Sequence, residues 1–290
     1  MPTPPSSSSP SIDLLALAQT DVTTPLPTAS LHAALARPPF LFLPDTFNTR
    51  DLGLLPGSPI RPGLVYRSGG FLTGLSAEGK DALAGGRVKI KKIFDLRSVR
   101  EHEQRPDPDD IGGGVEVVWV RPEEEDARVG LEDFVEGEGE GGYVKMYLDV
   151  LKVYRAAVMK VLEHVRDGRG EEGFLFHCTA GRDRTGVVAG LLLSLAGASK
   201  ETVALDYMLS RIGTEPAREQ LIAFALEGSM AENVDAPGFH NLCNLRISCW
   251  EAFVRAVESQ YGGFEGYVTG TLGFSEGDLA KIRANLVLQN

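Results

Sequence analysis

The run His177-Cys178-Thr179-Ala180-Gly181-Arg182-Asp183-Arg184-Thr185-Gly186 places a cysteine and an arginine six positions apart in one short loop. Before it, Gly173-Phe-Leu-Phe-His-Cys178 is an apolar run of buried-strand type, and residues 187–196 after it are an apolar, helix-forming run. The loop therefore joins a strand to a helix, and the pattern around it sets the fold class. Residues 64–66, 92–96, 115–120 and 174–178 read as strands, while 77–84, 143–165, 184–196 and several C-terminal runs read as helices. That alternation is an α/β layout, a central sheet flanked by helices. Residues 143–165 carry apolar side chains at Tyr143, Met146, Tyr147, Val150, Leu151, Tyr154, Val158, Val161 and Leu162. This near-3.6 period predicts one long amphipathic helix packed on the sheet.

A loop that opens a helix is suited to anions. The first backbone N–H groups of the helix have no partner within it, and its macrodipole is positive at that end. With Arg182 and Arg184 alongside, the same field favours thiolate over thiol, which makes Cys178 the candidate nucleophile. Arg184 can present a planar fork to two oxygens of a phosphoryl group, a geometry lysine cannot match. Gly181 lets the backbone turn with its N–H groups inward. Thr179, Ala180, Gly181, Arg182, Thr185 and Gly186 complete the expected substrate-binding loop. Thr185 is placed to hydrogen-bond the Cys178 sulfur and make it a better leaving group in a second step. Cys-x5-Arg alone is a weak signal. The preceding histidine, the internal glycine, the Thr-Gly that follows and the strand and helix on either side make it specific.

The run resembles the signature of the cysteine-dependent protein tyrosine phosphatase superfamily. Its Gly-Arg-Asp-Arg-Thr-Gly end is most similar to the bacterial and fungal tyrosine/serine phosphatases, which read His-Cys-x-x-Gly-Lys-Asp-Arg-Thr-Gly. Asn48-Thr-Arg50-Asp51-Leu-Gly53, Leu64-Val-Tyr-Arg67-Ser68-Gly69, and Ile93-Phe-Asp95-Leu-Arg97-Ser98 with Glu101 resemble three further elements of that family. Tyr261-Gly-Gly, Gly266-Tyr267 and Leu272-Gly273 resemble its C-terminal region. The likeness runs from about residue 47 to 286, poorest at 106–142. Arg182 stands where the family carries lysine. It keeps the charge and changes the shape, which weighs against carrying over the phosphoinositide activity of some relatives. Thr49 and Leu54 replace an aromatic residue and a glycine.

The resemblance implies a tyrosine-phosphatase-like fold and phosphomonoester hydrolysis through a phosphocysteine, with phosphotyrosine or dual-specificity substrates. An inositol phosphate or phosphoinositide substrate is the alternative, and a phosphoprotein-binding pseudophosphatase a third reading, which the intact Cys178, Asp183 and Arg184 disfavour. No cofactor is called for. The leaving oxygen needs a proton, and a positioned acid is worth typically 10²–10⁴-fold. The resemblance assigns that role to Asp183, although a carboxylate beside Arg184 could instead orient the arginine or cap the helix. The other candidates are Asp126 and Asp133, in the acidic, glycine-rich segment 123–142, whose plain reading is a solvated loop. The helical runs 200–210 and 215–226 are either core helices or a cover over the site.

The chain has 290 residues, 43% of them hydrophobic, and a net charge of −11. That length supports one sizeable core. A phosphatase domain is expected over 38–290, preceded by a flexible Ser/Pro-rich segment, 1–37, whose short helical candidates 12–19 and 31–36 could dock on it. Nucleic acid is a poor partner for so acidic a chain. The expected partner is a phosphorylated protein or a small phosphoester. No apolar run approaches the roughly 18 residues that span a bilayer, so stable membrane insertion is not expected. Three cysteines, an odd number, argue for free thiols and a reducing, cytoplasmic setting. Cys243 and Cys249 read as small core residues, and His240 with Cys243 is only half a metal site. Arg67 and Arg97 either line the anion pocket or make structural ion pairs.

Overall fold

The computed structural model describes residues 13–86, 88–124, 130–168 and 172–287. Five strands form one mixed sheet: β1 (Arg50–Asp51), β2 (Val65–Ser68), β3 (Ile90–Asp95), β4 (Glu116–Trp119) and β5 (Gly173–His177), in the order β1-β2-β5-β3-β4. β1 runs antiparallel to β2, and the other pairings are parallel. β5 is central, and all five of its residues are buried. A continuous apolar run belongs there, because helices cover both faces of a parallel sheet. Its side chains alternate between the faces. Phe174 and Phe176 join the larger core with Val65 and Phe94, whereas Leu175 joins the smaller core with Tyr66 and Ile93.

The helices are α1 (Leu14–Ala18), α2 (Thr28–Leu35), α3 (Ala77–Ala84), α4 (Val99–Gln104), α5 (Glu140–Val153), α6 (Arg155–Asp167), α7 (Asp183–Leu195), α8 (Lys200–Gly213), α9 (Arg218–Ser229), α10 (Phe239–Cys243), α11 (Ile247–Tyr261), α12 (Gly263–Gly266) and α13 (Glu276–Leu286). Ten residues of α7 are buried, as an all-round apolar sequence requires. At Gly190 even a Cβ would lie 2.4 Å from the Trp250 ring, so the α7 backbone packs directly against that side chain of α11.

The four anticipated strands form within two residues of their expected ends, and α3 and α7 match to within one. Three readings need correction. The single helix expected over 143–165 is two helices, α5 and α6, meeting at Tyr154 (φ −97°, ψ 15°). The break falls where the Tyr154 ring lies 5.4 Å from the Arg184 guanidinium. The helix expected at 215–226 begins as a short 3₁₀ turn, Glu215–Ala217, with Pro216 in its first turn, before α9. Residues 13–37, read within a flexible tail, are packed: Ala18, Leu26 and Ala34 are buried in the main core, and α1 and α2 lie on α8. Polar anchors hold that segment. Buried Arg211 donates to the carbonyls of Thr20, Asp21 and Thr24, and Asn244 Oδ1 accepts from the Val22 N–H. β1 and α4 were not anticipated, being too short to show a period. Among the described residues no helix is long and apolar enough to cross a membrane.

Candidate active site

His177 ends β5 and Asp183 opens α7, so residues 178–182 make the turn. Gly181 has φ 63°, and a Cβ there would lie 2.3 Å from the Ser68 carbonyl oxygen. Only glycine satisfies both constraints. The Thr179 carbonyl accepts from the Gly70 N–H at 3.1 Å and the Ala180 carbonyl from Asn48 Nδ2 at 3.2 Å. The Gly181 carbonyl accepts from Asn48 Nδ2 at 2.8 Å and Arg67 Nη2 at 2.7 Å. In a planar trans peptide the N–H points opposite to the C=O. The N–H groups of Ala180, Gly181 and Arg182 therefore turn away from this scaffold, toward the concave side of the loop. The open N–H groups and positive dipole end of α7 add to them, and the result is an anion cradle.

The scaffold behind the cradle is a buried charge cluster. Asn48 adopts the left-handed conformation (φ 55°), which asparagine tolerates, and its N–H donates to the Gly213 carbonyl at the end of α8. Arg50 and Arg67 are wholly buried and share one carboxylate, Asp206 of α8. Arg50 also donates to Asn48 Oδ1 at 2.6 Å and Ser210 Oγ at 3.0 Å. Burial opposes a charge on Asp206, yet the two guanidinium groups hold its carboxyl below the usual range. Burial and then the neighbouring Arg67 bring Arg50 down to about 10. Arg67 is thus a support of the loop from behind.

Arg97 is structural too. It grips Asp95 with Nε and Nη2, both at 2.8 Å, and reaches Asp107 Oδ1 at 2.7 Å. His177 Nε2 lies 2.7 Å from Asp107 Oδ2, and His102 Nδ1 lies 2.8 Å from Asp95 Oδ2. Asp95, Asp107 and His177 approach one another as metal ligands would, but the Arg97 guanidinium already bonds both carboxylates where a cation would sit. Burial favours neutral forms here and is overridden: His177 and Arg97 hold Asp95 down to about 2, and Asp107 raises His177 above its ordinary value.

Over the cradle opens a cleft of about 930 Å³, lined by Cys178, Asp183 and Arg184 together with residues of α4, α5 and α9. Cys178 is 2% exposed, at the floor of that cleft. Arg184 is held bidentately by Glu101 of α4, Nη1–Oε2 2.5 Å and Nη2–Oε1 2.7 Å. Nη1 also faces the Leu96 carbonyl at 3.3 Å. Among the described residues, the Nε/Nη2 edge is therefore the one left for an anion. Glu101 accepts in addition from Thr179 Oγ1 and from Ser98 N and Oγ. Burial would raise its carboxyl, but Arg184, Thr179 and Ser98 hold it well below the usual range.

Asp183 sits at the rim of the cradle, with Tyr147 Oη donating to Oδ1 at 2.9 Å and Arg182 Nε 3.1 Å from both oxygens. Arg182 differs from expectation. Its guanidinium is buried against α10, donating to the carbonyls of Leu242 and Cys243, so the side chain fixes the loop and only its backbone N–H faces the cradle. Thr185 Oγ1 is buried without a hydrogen bond among the described residues, so the expected bond to Cys178 is not formed. Asp133 lies in a 3₁₀ turn, Leu131–Phe134, paired with Lys145 at 2.5 Å, while Asp126 falls outside the described residues. No residue of α9 is buried, and its Leu221, Ile222 and Ala225 form one wall of the cleft, whereas α8 is a core helix. Cys243 and Cys249 are buried free thiols, each pushed up to about 11 by burial.

Glu101, Tyr147 and Asp206 were not singled out from the sequence as site residues. For Glu101 a signal existed: Ser98-Val-Arg-Glu101 is a capping-box sequence, and both of its reciprocal bonds form at the start of α4. Nothing in the sequence aims Tyr147 or Asp206 at the loop.

Fold and site together define a strand–loop–helix junction whose N–H groups are arranged as an anion would need, with a cysteine at its floor. Residues 41–288 match the tyrosine phosphatase family. The tyrosine-protein phosphatase of Nostoc commune is 32% identical over 211 residues, 71% of this chain and 69% of that protein. The triple specificity protein phosphatase PtpB of Mycobacterium tuberculosis is 25% identical over 280 residues, 84% of this chain and 98% of that protein. The chain belongs to the tyrosine phosphatase family.

Proposed function

We propose that the protein hydrolyses phosphomonoesters, phosphotyrosine or dual-specificity protein substrates foremost, through a phosphocysteine on Cys178. In this reading the Cys178 thiolate attacks phosphorus, the S–P bond forms and the P–O bond to the alcohol breaks. Asp183 gives its proton to the leaving oxygen. The cradle N–H groups and the open edge of Arg184 hold the equatorial oxygens as charge builds on them. Water then attacks phosphorus, Asp183 takes its proton, and the S–P bond breaks to return thiolate and inorganic phosphate.

One observation carries the reading: outward-tied carbonyls of Thr179, Ala180 and Gly181 turn three N–H groups to the concave side of a loop that begins with Cys178 and ends with a pre-held Arg184. A second reading, a wider range that includes phosphoinositides or inositol phosphates, is favoured by a cleft of about 930 Å³, larger than a phosphotyrosyl side chain needs. Acid quench during turnover of an aryl phosphate, followed by peptide mass analysis, should place a phosphoryl group on Cys178 and none in Cys178→Ser. Turnover by Cys178→Ser above about one per cent of wild type would refute nucleophilic catalysis by this residue. A panel of phosphotyrosine, phosphoserine and phosphoinositide substrates separates the two readings.

A further inference from the structure

We propose that Tyr147 is a positioning residue that fixes the Asp183 carboxyl so that Oδ2 carries the proton passed to the leaving group. The inference rests on the reading of Asp183 as the acid. Tyr147 stands on α5, is wholly buried, and donates to Asp183 Oδ1 at 2.9 Å. Its oxygen lies 3.0 Å from Tyr207 Oη of α8. A phenol has one proton. Since Tyr147 spends its proton on the carboxylate, Tyr207 must donate to Tyr147, and the two hydroxyls form a one-way chain ending at Asp183. Burial, and then the nearby acidic groups, push both phenols far above their ordinary range, so both remain donors at any working pH.

The chain makes the two carboxyl oxygens unequal. Among the described residues, Oδ1 receives Tyr147 and Arg182 Nε, whereas Oδ2 receives only Arg182 Nε. A proton on Oδ2 leaves the Tyr147 bond intact, whereas a proton on Oδ1 competes with it. In the first half-reaction Oδ2–H gives its proton to the leaving oxygen. In the second, Oδ2 takes a proton from the attacking water, with Oδ1 held throughout. Arg182 is itself fixed by the Leu242 and Cys243 carbonyls, so Asp183 is gripped from α5 on one side and α10 on the other.

Tyr147→Phe tests this directly. The ring keeps its edge contacts to Phe253 at 5.3 Å and Tyr207 at 6.1 Å, so the loss is confined to one hydroxyl. With phosphotyrosine and alkyl phosphates, kcat should fall about 5–20-fold with KM within about twofold, part of the 10²–10⁴ an acid supplies. An aryl phosphate with a strongly acidic phenol should stay within about twofold of wild type. In an Asp183→Asn background, Tyr147→Phe should cost nothing further on any substrate. Equal losses on both substrate types, or an undiminished loss beside Asp183→Asn, overturn the assignment. Tyr207→Phe removes the outer hydroxyl and should give the same leaving-group pattern, about two- to threefold, if the chain acts as described. An indiscriminate loss in Tyr207→Phe also counts against it, and this variant decides the matter should Tyr147→Phe not fold. If Asp183→Asn itself shows no leaving-group dependence, the reading of Asp183 fails. If Asp183→Asn discriminates and Tyr147→Phe does not, only the role of Tyr147 fails.

Discussion

Replacing Glu101 by alanine should disable Arg184 without touching it. Glu101 collects donors from three residues: both Nη atoms of Arg184, Thr179 Oγ1, and the backbone and hydroxyl of Ser98. The paired side chains are 15% and 10% exposed, so solvent screens them little. Removing one partner of a buried ion pair costs about 3–5 kcal/mol, and the lower end applies because the pair borders an open cleft. About 3 kcal/mol corresponds to a fall in Tm of roughly 6–12 °C for a chain of this size. A fork no longer held for the phosphoryl group should lower kcat/KM about 10–100-fold, or about 1.4–2.7 kcal/mol of transition-state stabilisation. Thermal melts with and without phosphate, and turnover of an aryl phosphate, measure both quantities. Phosphate should recover more Tm in Glu101→Ala than in wild type, because the anion replaces the missing carboxylate beside Arg184. A Tm within about 1 °C of wild type together with kcat/KM within about twofold would refute the reasoning.

Arg184→Lys keeps the charge and loses the fork, so kcat should fall by about 10²–10⁴-fold, while an unchanged kcat would remove Arg184 from the transition state. Asp183→Asn should slow phosphotyrosine far more than an activated aryl phosphate. Asp133→Asn, which frees Lys145, should change rates less than about fivefold, and a large leaving-group-dependent loss there would move the acid to the acidic segment. Stability should peak in mildly acid solution. Asp95, Glu101 and Asp206 have depressed folded pKa values, so what they contribute is present above the ordinary carboxylate range, near pH 4, and is lost as pH falls through the folded values. For Asp95, held down to about 2, that contribution is about 2 kcal/mol. His177 is raised, so its contribution is complete below about pH 6.5 and is lost as pH climbs through its folded value. Urea melts at pH 2.5, 5.5 and 8.5 should be steadiest at 5.5, and equal stability at 2.5 and 5.5 would contradict the carboxylate assignments.

The sequence by itself determined the parts of this protein whose signals are local. The apolar run 173–178 read as a buried strand. Gly181 marked the tight turn and the run after Arg184 marked a buried helix, so the placement of Cys178 and Arg184 at one strand–helix junction was legible from the residues alone. The strands and α3 followed from periodicity and capping residues, signals contained within a few residues of each element. What only the tertiary structure decided is which distant groups meet the loop. Asn48, Arg67 and Asp206 converge behind Gly181 from the turn before β1, from β2 and from α8, and Tyr147 of α5, its hydroxyl backed by Tyr207 of α8, reaches Asp183. The same limit explains Arg182, a cation in an anion-binding loop whose guanidinium is taken by two carbonyls some 60 residues away, and the packing of residues 13–37 through Arg211. A hydrogen bond has no sequence period. A buried arginine or tyrosine is assigned to scaffold or site by the partner that folding brings to it, and local pattern carries no record of that partner.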